Sequence, residues 1–288
     1  MQTTVMIDGE LVPPERALVS VFDRGFLYGD SVFEALRTHH GKLHFLDAHL
    51  ARVARSVERV LIALPISLSG LRDEILAAVR AHGSREVYLR LIVTRGSATS
   101  FGLDTSLSEG PRRIVLVSDL KLPPAELHER GISAITLRIE RAGDEAGVSS
   151  AKLGNYLSAV LALQKARVAG ASEALVEDAH GSILEGSTSN LFAVIAGVLV
   201  TAPVSAAILP GITRGRVLEL ARASELGIAV EERVFSKAEL SRADEVFITS
   251  SIREVVPVVN IDGRTVASGA PGPIARELLA RFRASVAG

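Results

Sequence analysis

The sequence has no cysteine, no tryptophan and only two methionines, and aromatic residues make up 4% of its 288 residues. The missing cysteines exclude disulfides, thiolate metal sites and cysteine nucleophiles together. The opening residues, MQTTVMIDGE, show no basic stretch followed by an apolar one. Secretion is therefore not expected, and a cytoplasmic location is. The longest apolar run, 191–200, is far too short to span a bilayer. A net charge of −1 offers no positive excess to attract nucleic acid or an anionic membrane. Lysine is scarce as well: five of the 32 basic residues (42, 121, 152, 165 and 237), the rest being arginine. Where only positive charge is needed this chain uses arginine, so a retained lysine points toward amine chemistry, which a guanidinium cannot perform. G+C-rich coding would give the same ratio.

Several motifs are missing too. There is no G-x-x-x-x-G-K-[ST] and no G-x-G-x-x-G after a strand, so nucleotide binding has no local support. The seven histidines form no H-E-x-x-H or other ligand pair, and no metal is expected. His40 and His44, across the turn HGKLH, read as surface or locally bonded residues. G-x-S-x-G is absent, against an α/β-hydrolase. Residues 149–152 satisfy the S-x-x-K of penicillin-recognising serine enzymes, but the accompanying S-D-N and K-T-G elements are lacking. A serine–lysine hydrolase and a non-catalytic protein remain as the readings outside the one developed below.

What is present is an ordinary globular composition, 48% hydrophobic and 23% charged, long enough for one large or two modest domains. Residues 3–22 alternate and turn like a β-hairpin around the DGE of 8–10. Apolar spacing of three to four predicts helices over 46–62 and near 69–81. Residues 86–96 and 112–118 read as strands. Pro123-Pro124 cannot lie inside a helix or central strand, so 121–131 reads as an interdomain linker. Beyond it come a strand (133–140), a helix (154–168), short strands through 200 and a helix (213–225). Strands near 228–234, 244–249 and 255–260 and a helix from about 272 complete the chain. Without a regular βαβ rhythm the fold class is α+β, with a small N-terminal domain (1–120) and a larger C-terminal one (132–288).

Within residues 146–164 only Lys152 is charged. Apolar surroundings would lower its pKa, and a helix starting near Gly154 or Asn155 would push the same way. A free amine there can attack a carbonyl. The plain alternative is a snorkelling lysine at a helix start. The commonest cofactor bound by a lysine Schiff base is pyridoxal 5'-phosphate, which asks for a phosphate site, an acid partner for its ring nitrogen and a donor to its phenolic oxygen. Residues 209–221 place a Pro-Gly turn before Thr213, read as the N-cap of an amphipathic helix whose free N–H groups form a phosphate cradle. Arg52 lies opposite the apolar stripe of helix 46–62, with Arg55 and Arg59 nearby; any of the three can equally be solvated. Glu185, ending a strand before Gly186, is a candidate ring-nitrogen partner or an exposed turn glutamate. Tyr156, one helical turn after Lys152, would share its face.

The segments DRGFLYGDSVFEALR (23–37), HLARV (49–53), AKLGNYLSAVLA (151–162), EGSTSNLF (185–192), LPGITR (209–214), ADEVFITSS (243–251) and EVVPV (254–258) occur in that order. Over almost its whole length the chain resembles the class IV (fold-type IV) pyridoxal-phosphate aminotransferases. The resemblance implies that Lys152 is the Schiff-base lysine and proton shuttle. It implies that Arg52, Ile212 and Thr213, completed by Ser251, clamp the phosphate, and that Glu185 pairs with the ring nitrogen. It also implies that Tyr156 meets the phenolic oxygen and that Leu209 packs on the ring. Tyr28, Phe33, Tyr88, Arg90 and Ile252 become substrate residues, and members are homodimers or higher homo-oligomers, with residues near Tyr28 entering the neighbouring site. Tyr88-Leu89-Arg90 and the GLD of 102–104 resemble the branched-chain enzymes, which implies transamination of branched-chain L-amino acids with 2-oxoglutarate. The four-residue step from Lys152 to Tyr156, and Arg24, resemble the D-amino-acid transaminases and the aminodeoxychorismate lyases, and both stay open as alternatives.

Overall fold

The computed structural model describes residues 2–139, 150–223 and 226–287. The chain forms two compact units, Met1–Lys121 with Ala151–Tyr156, and Leu122–Ser150 with Leu157–Gly288.

The first unit is an antiparallel sheet covered by helices. It contains β1 (Thr3–Ile7), β2 (Glu10–Val12), α1 (Arg24–Tyr28), β3 (Ser31–His39), β4 (Lys42–Leu43), α2 (Leu46–Arg59), α3 (Leu68–His82), β5 (Val87–Thr94), the short pair β6 (Ser97–Ala98) and β7 (Ser108–Glu109), and β8 (Arg112–Asp119). Strand order in the main sheet is β2-β1-β8-β5-β3-β4. Alternation decides what each face carries. Val32 and Leu36 of β3, Leu89, Leu91 and Val93 of β5, and Val115 and Val117 of β8 point one way. They pack on Leu46, Leu50, Val53 and Val57 of α2 and on Leu71, Ile75 and Ala78 of α3. Phe33 of β3 and Tyr88 and Arg90 of β5 therefore fall on the opposite face. The hairpin turns at Asp8 and Gly9, both at positive φ (53° and 92°), the two-residue geometry that matches strand twist. It stops at Val12, short of the expected residue 22, because Pro13 and Pro14 follow. Helix α2 ends at Arg59 rather than 62: Leu61 turns to φ 55°, and Arg95 donates to the carbonyls of Val60 (2.6 Å) and Leu61 (2.7 Å).

Two expectations are corrected here. Residues 151–156, assigned from sequence to the C-terminal domain, belong to the first unit. The expected helix from 154 begins at Leu157. The reason is hydrogen bonding along β3: Phe33 N donates to the Lys152 carbonyl (2.9 Å) and Gly154 N to that of Ser31 (2.8 Å). Backbone groups engaged by a strand 120 residues earlier are not available to start a helix. A β-carbon on Gly154 would collide with Ser31 Oγ, so only glycine lets this strap lie so close.

The second unit contains α4 (Glu126–Glu129), β9 (Ile132–Arg138), α5 (Leu157–Val168), β10 (Glu173–Glu177), β11 (Ser182–Gly186), β12 (Ser189–Ile195), β13 (Val198–Thr201), α6 (Ile212–Ala223), β14 (Ala229–Glu232), β15 (Phe235–Ser236), α7 (Lys237–Leu240), β16 (Glu245–Ser250), β17 (Glu254–Ile261), β18 (Arg264–Thr265) and α8 (Pro273–Ser285). Within the expected linker, α4 supplies one helical turn. The pairings β10–β11, β11–β12, β12–β16, β16–β17, β17–β9 and β9–β10 close on themselves. Ile132, Leu175, Ile183, Leu191, Val246, Ile248, Val256 and Val258 cluster together as one core of this ring. The alternate residues Phe192, Val194, Phe247 and Val255 form a second core with α6 and α8, where Phe192 and Phe247 stack at 5.0 Å. The end of the helix expected over 213–225, like residue 140 of the expected strand and Ser149 of the S-x-x-K match, lies outside the described residues. No helix among the described residues is long and apolar enough to cross a membrane.

Candidate active site

In the first unit Lys152 is pinned by its backbone. Its N–H donates to Ser56 Oγ of α2 (3.3 Å) and its carbonyl accepts from Phe33. Its Nζ then lies 4.5 Å from the ring centroid of Phe33 and 5.7 Å from that of Tyr156, two rings that meet edge to face at 5.1 Å. The Arg90 guanidinium sits 4.1 Å from the same Phe33 centroid, as the strand alternation requires, with Tyr88 two residues away on that face. Tyr156 thus joins Lys152 across an extended strap, not along a helix face as the sequence led us to expect.

Arg52 also differs from expectation. It is buried, whereas Arg55 and Arg59 are exposed. It faces β3, where Glu34 occupies a core-facing position between Val32 and Leu36. Glu34 accepts from Arg52 Nε (2.6 Å) and Nη2 (2.7 Å) and from His49 Nδ1 (2.8 Å). Burial opposes the ionisation of Glu34, but the bonds from Arg52 and His49 outweigh it and hold the carboxyl at about 2. Burial depresses the His49 pKa, against the pull of Glu34, so at neutral pH the imidazole is neutral and donates its Nδ1–H.

Tyr28 closes α1 and is exposed. Its hydroxyl accepts from Gly102 N (3.1 Å), and Arg24 lies 4.9 Å from its ring while donating to the Gly102 carbonyl (2.9 Å). Arg24 and Arg95 converge on Asp30 (2.9 and 2.7 Å). Burial of Asp30 works against its charge, yet these two partners keep its pKa below the usual range.

In the second unit a row of polar side chains crosses three strands. Glu185 of β11 is register partner to Asn190 of β12, and Asn190 to Thr249 of β16, so the three share one face. Above this row runs the 209–211 turn: Leu209 N donates to Glu185 Oε2 (3.3 Å), and Asn190 Nδ2 donates to the Leu209 carbonyl (2.8 Å). A β-carbon on Gly211 would collide with Asn190 Oδ1, so glycine is needed for the approach. The turn feeds α6, which starts at Ile212, so Thr213 is a buried first-turn residue and not the expected N-cap. The first amides of a helix have no intrahelical acceptor, and here they open beside the row. Thr249 Oγ1 is buried with no hydrogen-bond partner among the described residues. Ser251 and Ile252 lie in the three-residue turn between β16 and β17, closed by Glu254 at φ 63°. Among the described residues no group of three histidine or carboxylate side chains is placed to hold a metal.

Glu34, His49, Asn190 and Thr249 are not among the residues expected from the sequence. A signal existed for the first two: Glu34 sits on the apolar phase of β3, and His49 and Arg52 share a helix face at i, i+3.

The second unit carries an anion-ready helix start beside a row of polar strand residues, and the first unit carries a lysine held against aromatic rings; one is phosphate-binding chemistry, the other amine chemistry. Residues 31–261 match the sequence family described as amino-transferase class IV. The chain belongs to that family. It is 38% identical to a putative branched-chain-amino-acid aminotransferase of Methanocaldococcus jannaschii, over 97% of this chain and 95% of that one. It is 37% identical to a D-alanine aminotransferase of Bacillus licheniformis, over 98% and 96%. Among solved structures, the branched-chain amino acid aminotransferase of Escherichia coli superposes with a TM-score of 0.91, at 32% identity over 97% of this chain and 93% of that one.

Proposed function

We propose that this chain is a cytoplasmic, homodimeric transaminase that uses pyridoxal 5'-phosphate to move an amino group from a branched-chain L-amino acid to 2-oxoglutarate. The observation that carries this reading is the shared ring of Phe33, with the Lys152 amine and the Arg90 guanidinium both against it. An α-amino acid presents an α-proton and a carboxylate on the same carbon, and this pair offers a base to the first and a cation to the second. Two features of the chain fit the cofactor. The open amides of α6 and the orphaned Thr249 hydroxyl fit its phosphate, and the buried Glu185 carboxylate fits its ring nitrogen. Ile212, Thr213, Ser251 and Arg52 would hold the phosphate, Leu209 the ring face and Tyr156 the phenolic oxygen.

When bound, the cofactor supplies an aldehyde that condenses with amines and a ring that withdraws electrons from the substrate α-carbon. Lys152 Nζ takes the α-proton as a general base and returns it as a general acid. Glu185 keeps a proton on the ring nitrogen, which sustains that withdrawal. Arg90, Tyr88 and the Ile252 amide receive substrate carboxylates through charge-assisted bonds, while Phe33 and Tyr28 line the side-chain space. The D-alanine aminotransferase relative and the four-residue step from Lys152 to Tyr156 favour a second reading, D-amino-acid transamination.

The purified protein is expected to be yellow, and L-leucine added alone should discharge that absorbance while D-alanine leaves it. Discharge by D-alanine only selects the second reading; a colourless protein that takes up no pyridoxal phosphate overturns both. Support for the dimer comes from Leu18, Val21, Phe22, Phe26, Phe101 and Leu103, all exposed and apolar in the first unit, with the Phe22 and Phe101 rings 5.9 Å apart. Solitary exposed apolar residues are ordinary; six on one unit, two of them ring to ring, favour a contact surface. Light scattering at micromolar concentration should give twice the mass of the chain. A monomer at every concentration removes the dimer.

A further inference from the structure

Glu173 opens β10, and its carboxylate is fully buried. Its Oε1 accepts from Ala174 N (3.0 Å), from Ser187 N (3.2 Å) and from Ser187 Oγ. Its Oε2 accepts from Ser189 Oγ (3.0 Å) and from Arg253 Nη2 (2.7 Å). The same Arg253 nitrogen donates to Thr188 Oγ1 (3.1 Å), and the Arg253 backbone N–H reaches Ser250 Oγ (3.3 Å). His128 Nε2 lies 2.9 Å from the Arg253 carbonyl oxygen, so a protonated Nε2 donates to it. One carboxylate therefore joins two turns that are about 60 residues apart in sequence. The first, 186–189, directly follows Glu185; the second, 251–253, carries Ser251 and Ile252. Gly186 passes so close that a β-carbon would lie 3.2 Å from Glu173 Cδ and collide with Ser189 Oγ.

Buried ion pairs add little net stability compared with apolar side chains of the same volume. What this one provides is geometry. The Arg253 fork and the Glu173 oxygens leave the two turns one relative arrangement, and each turn is adjacent to a residue proposed above to meet cofactor or substrate.

We infer that Glu173 and Arg253 form a positioning pair, which sets the amides at 251–252 relative to Glu185 so that the substrate α-carboxylate is received in register with the reacting carbon. The inference rests on the roles proposed for Glu185, Ser251 and Ile252. Neither Glu173 nor Arg253 touches substrate, so both act through the turns they hold.

The test combines kinetics of the holoenzyme with amide hydrogen exchange of the cofactor-free protein. R253A should raise KM for both the amino acid and the oxo acid about tenfold while kcat changes less than about threefold. Exchange should quicken about tenfold in 186–190 as well as in 250–253, although only the second segment is altered. R253K, which keeps a cation for Glu173, should bring KM back to within about threefold of the wild type. E173Q keeps one acceptor oxygen, enough for Ser187, but loses the charge and the second oxygen that Ser189 and Arg253 share, and should reproduce the KM effect of R253A if that variant folds poorly. Unchanged exchange at 186–190 in both R253A and E173Q, or a fall in kcat without a rise in KM, overturns the inference. A wild-type protein that does not transaminate sinks the functional reading instead, and the exchange data then decide by themselves whether the pair ties the turns.

Discussion

Replacing Lys152 with alanine is expected to reduce transamination by at least about 10³-fold, with the protein still folded. General acid–base transfer by a positioned side chain is worth roughly 10²–10⁴ in rate, and the proposed role of Lys152 adds covalent attachment of the cofactor to it. Few structural contacts are lost, because the strap is held by the Lys152 backbone: the carbonyl to Phe33 and the N–H to Ser56 survive truncation. Borohydride treatment of the wild-type holoenzyme should leave the cofactor's mass on the peptide containing residue 152, and the variant should carry none. A small primary amine in the buffer should restore part of the lost rate, since it can carry the proton when the side chain cannot. Retention of more than about a tenth of the wild-type rate by K152A would remove Lys152 from the chemistry.

The residues proposed to meet cofactor and substrate were legible in the sequence to different degrees. Strand alternation is a local rule, so the common face of Tyr88 and Arg90 followed from their spacing in β5, and the structure adds Phe33 to it through pairing with β3. Local rules failed at Lys152. Periodicity after Gly154 argued for a helix there, but the first hydrogen bonds of residues 152–154 go to β3, and no window of neighbouring residues contains that information. Arg52 misled for a related reason. A helical wheel ranks residues by their own polarity, and arginine counts as surface unless its partner is known; here the partner is Glu34, which sits on a strand. The motif order reached further than the physics of any single segment. It named residues on both units, and it left the Glu34–His49 and Glu173–Arg253 pairs, which lie one layer behind, unremarked.

Loss of Glu34 is expected to be the most damaging change behind the site. Glu34→Ala would leave the Arg52 guanidinium buried without its carboxylate, and breaking a buried pair in this way costs roughly 3–5 kcal/mol. For a chain of this size the melting temperature should fall by roughly 5–8 °C. The milder Glu34→Gln isolates the charge. In the folded protein this carboxyl titrates at about 2 instead of 4.5. Its contribution is therefore fully present above about pH 4.5 and is lost as pH falls toward 2, a difference of about 3 kcal/mol. His49 acts in the same direction from a higher pH: its folded pKa lies below the ordinary 6.5. Below that value the unfolded chain binds a proton that the folded one refuses. Wild-type melting temperature should thus begin to decline below about pH 6.5 and drop most steeply below 4.5. The second, steeper fall should be largely missing in E34Q. Because Glu34 orients the guanidinium proposed to meet the phosphate, E34Q should also weaken pyridoxal phosphate binding to the apoprotein at neutral pH by about tenfold, read from fluorescence titration. An E34Q protein with the wild-type acid profile would show that the stabilising charge resides elsewhere, and one with wild-type cofactor affinity would show that Arg52 is held well enough by the rest of its surroundings.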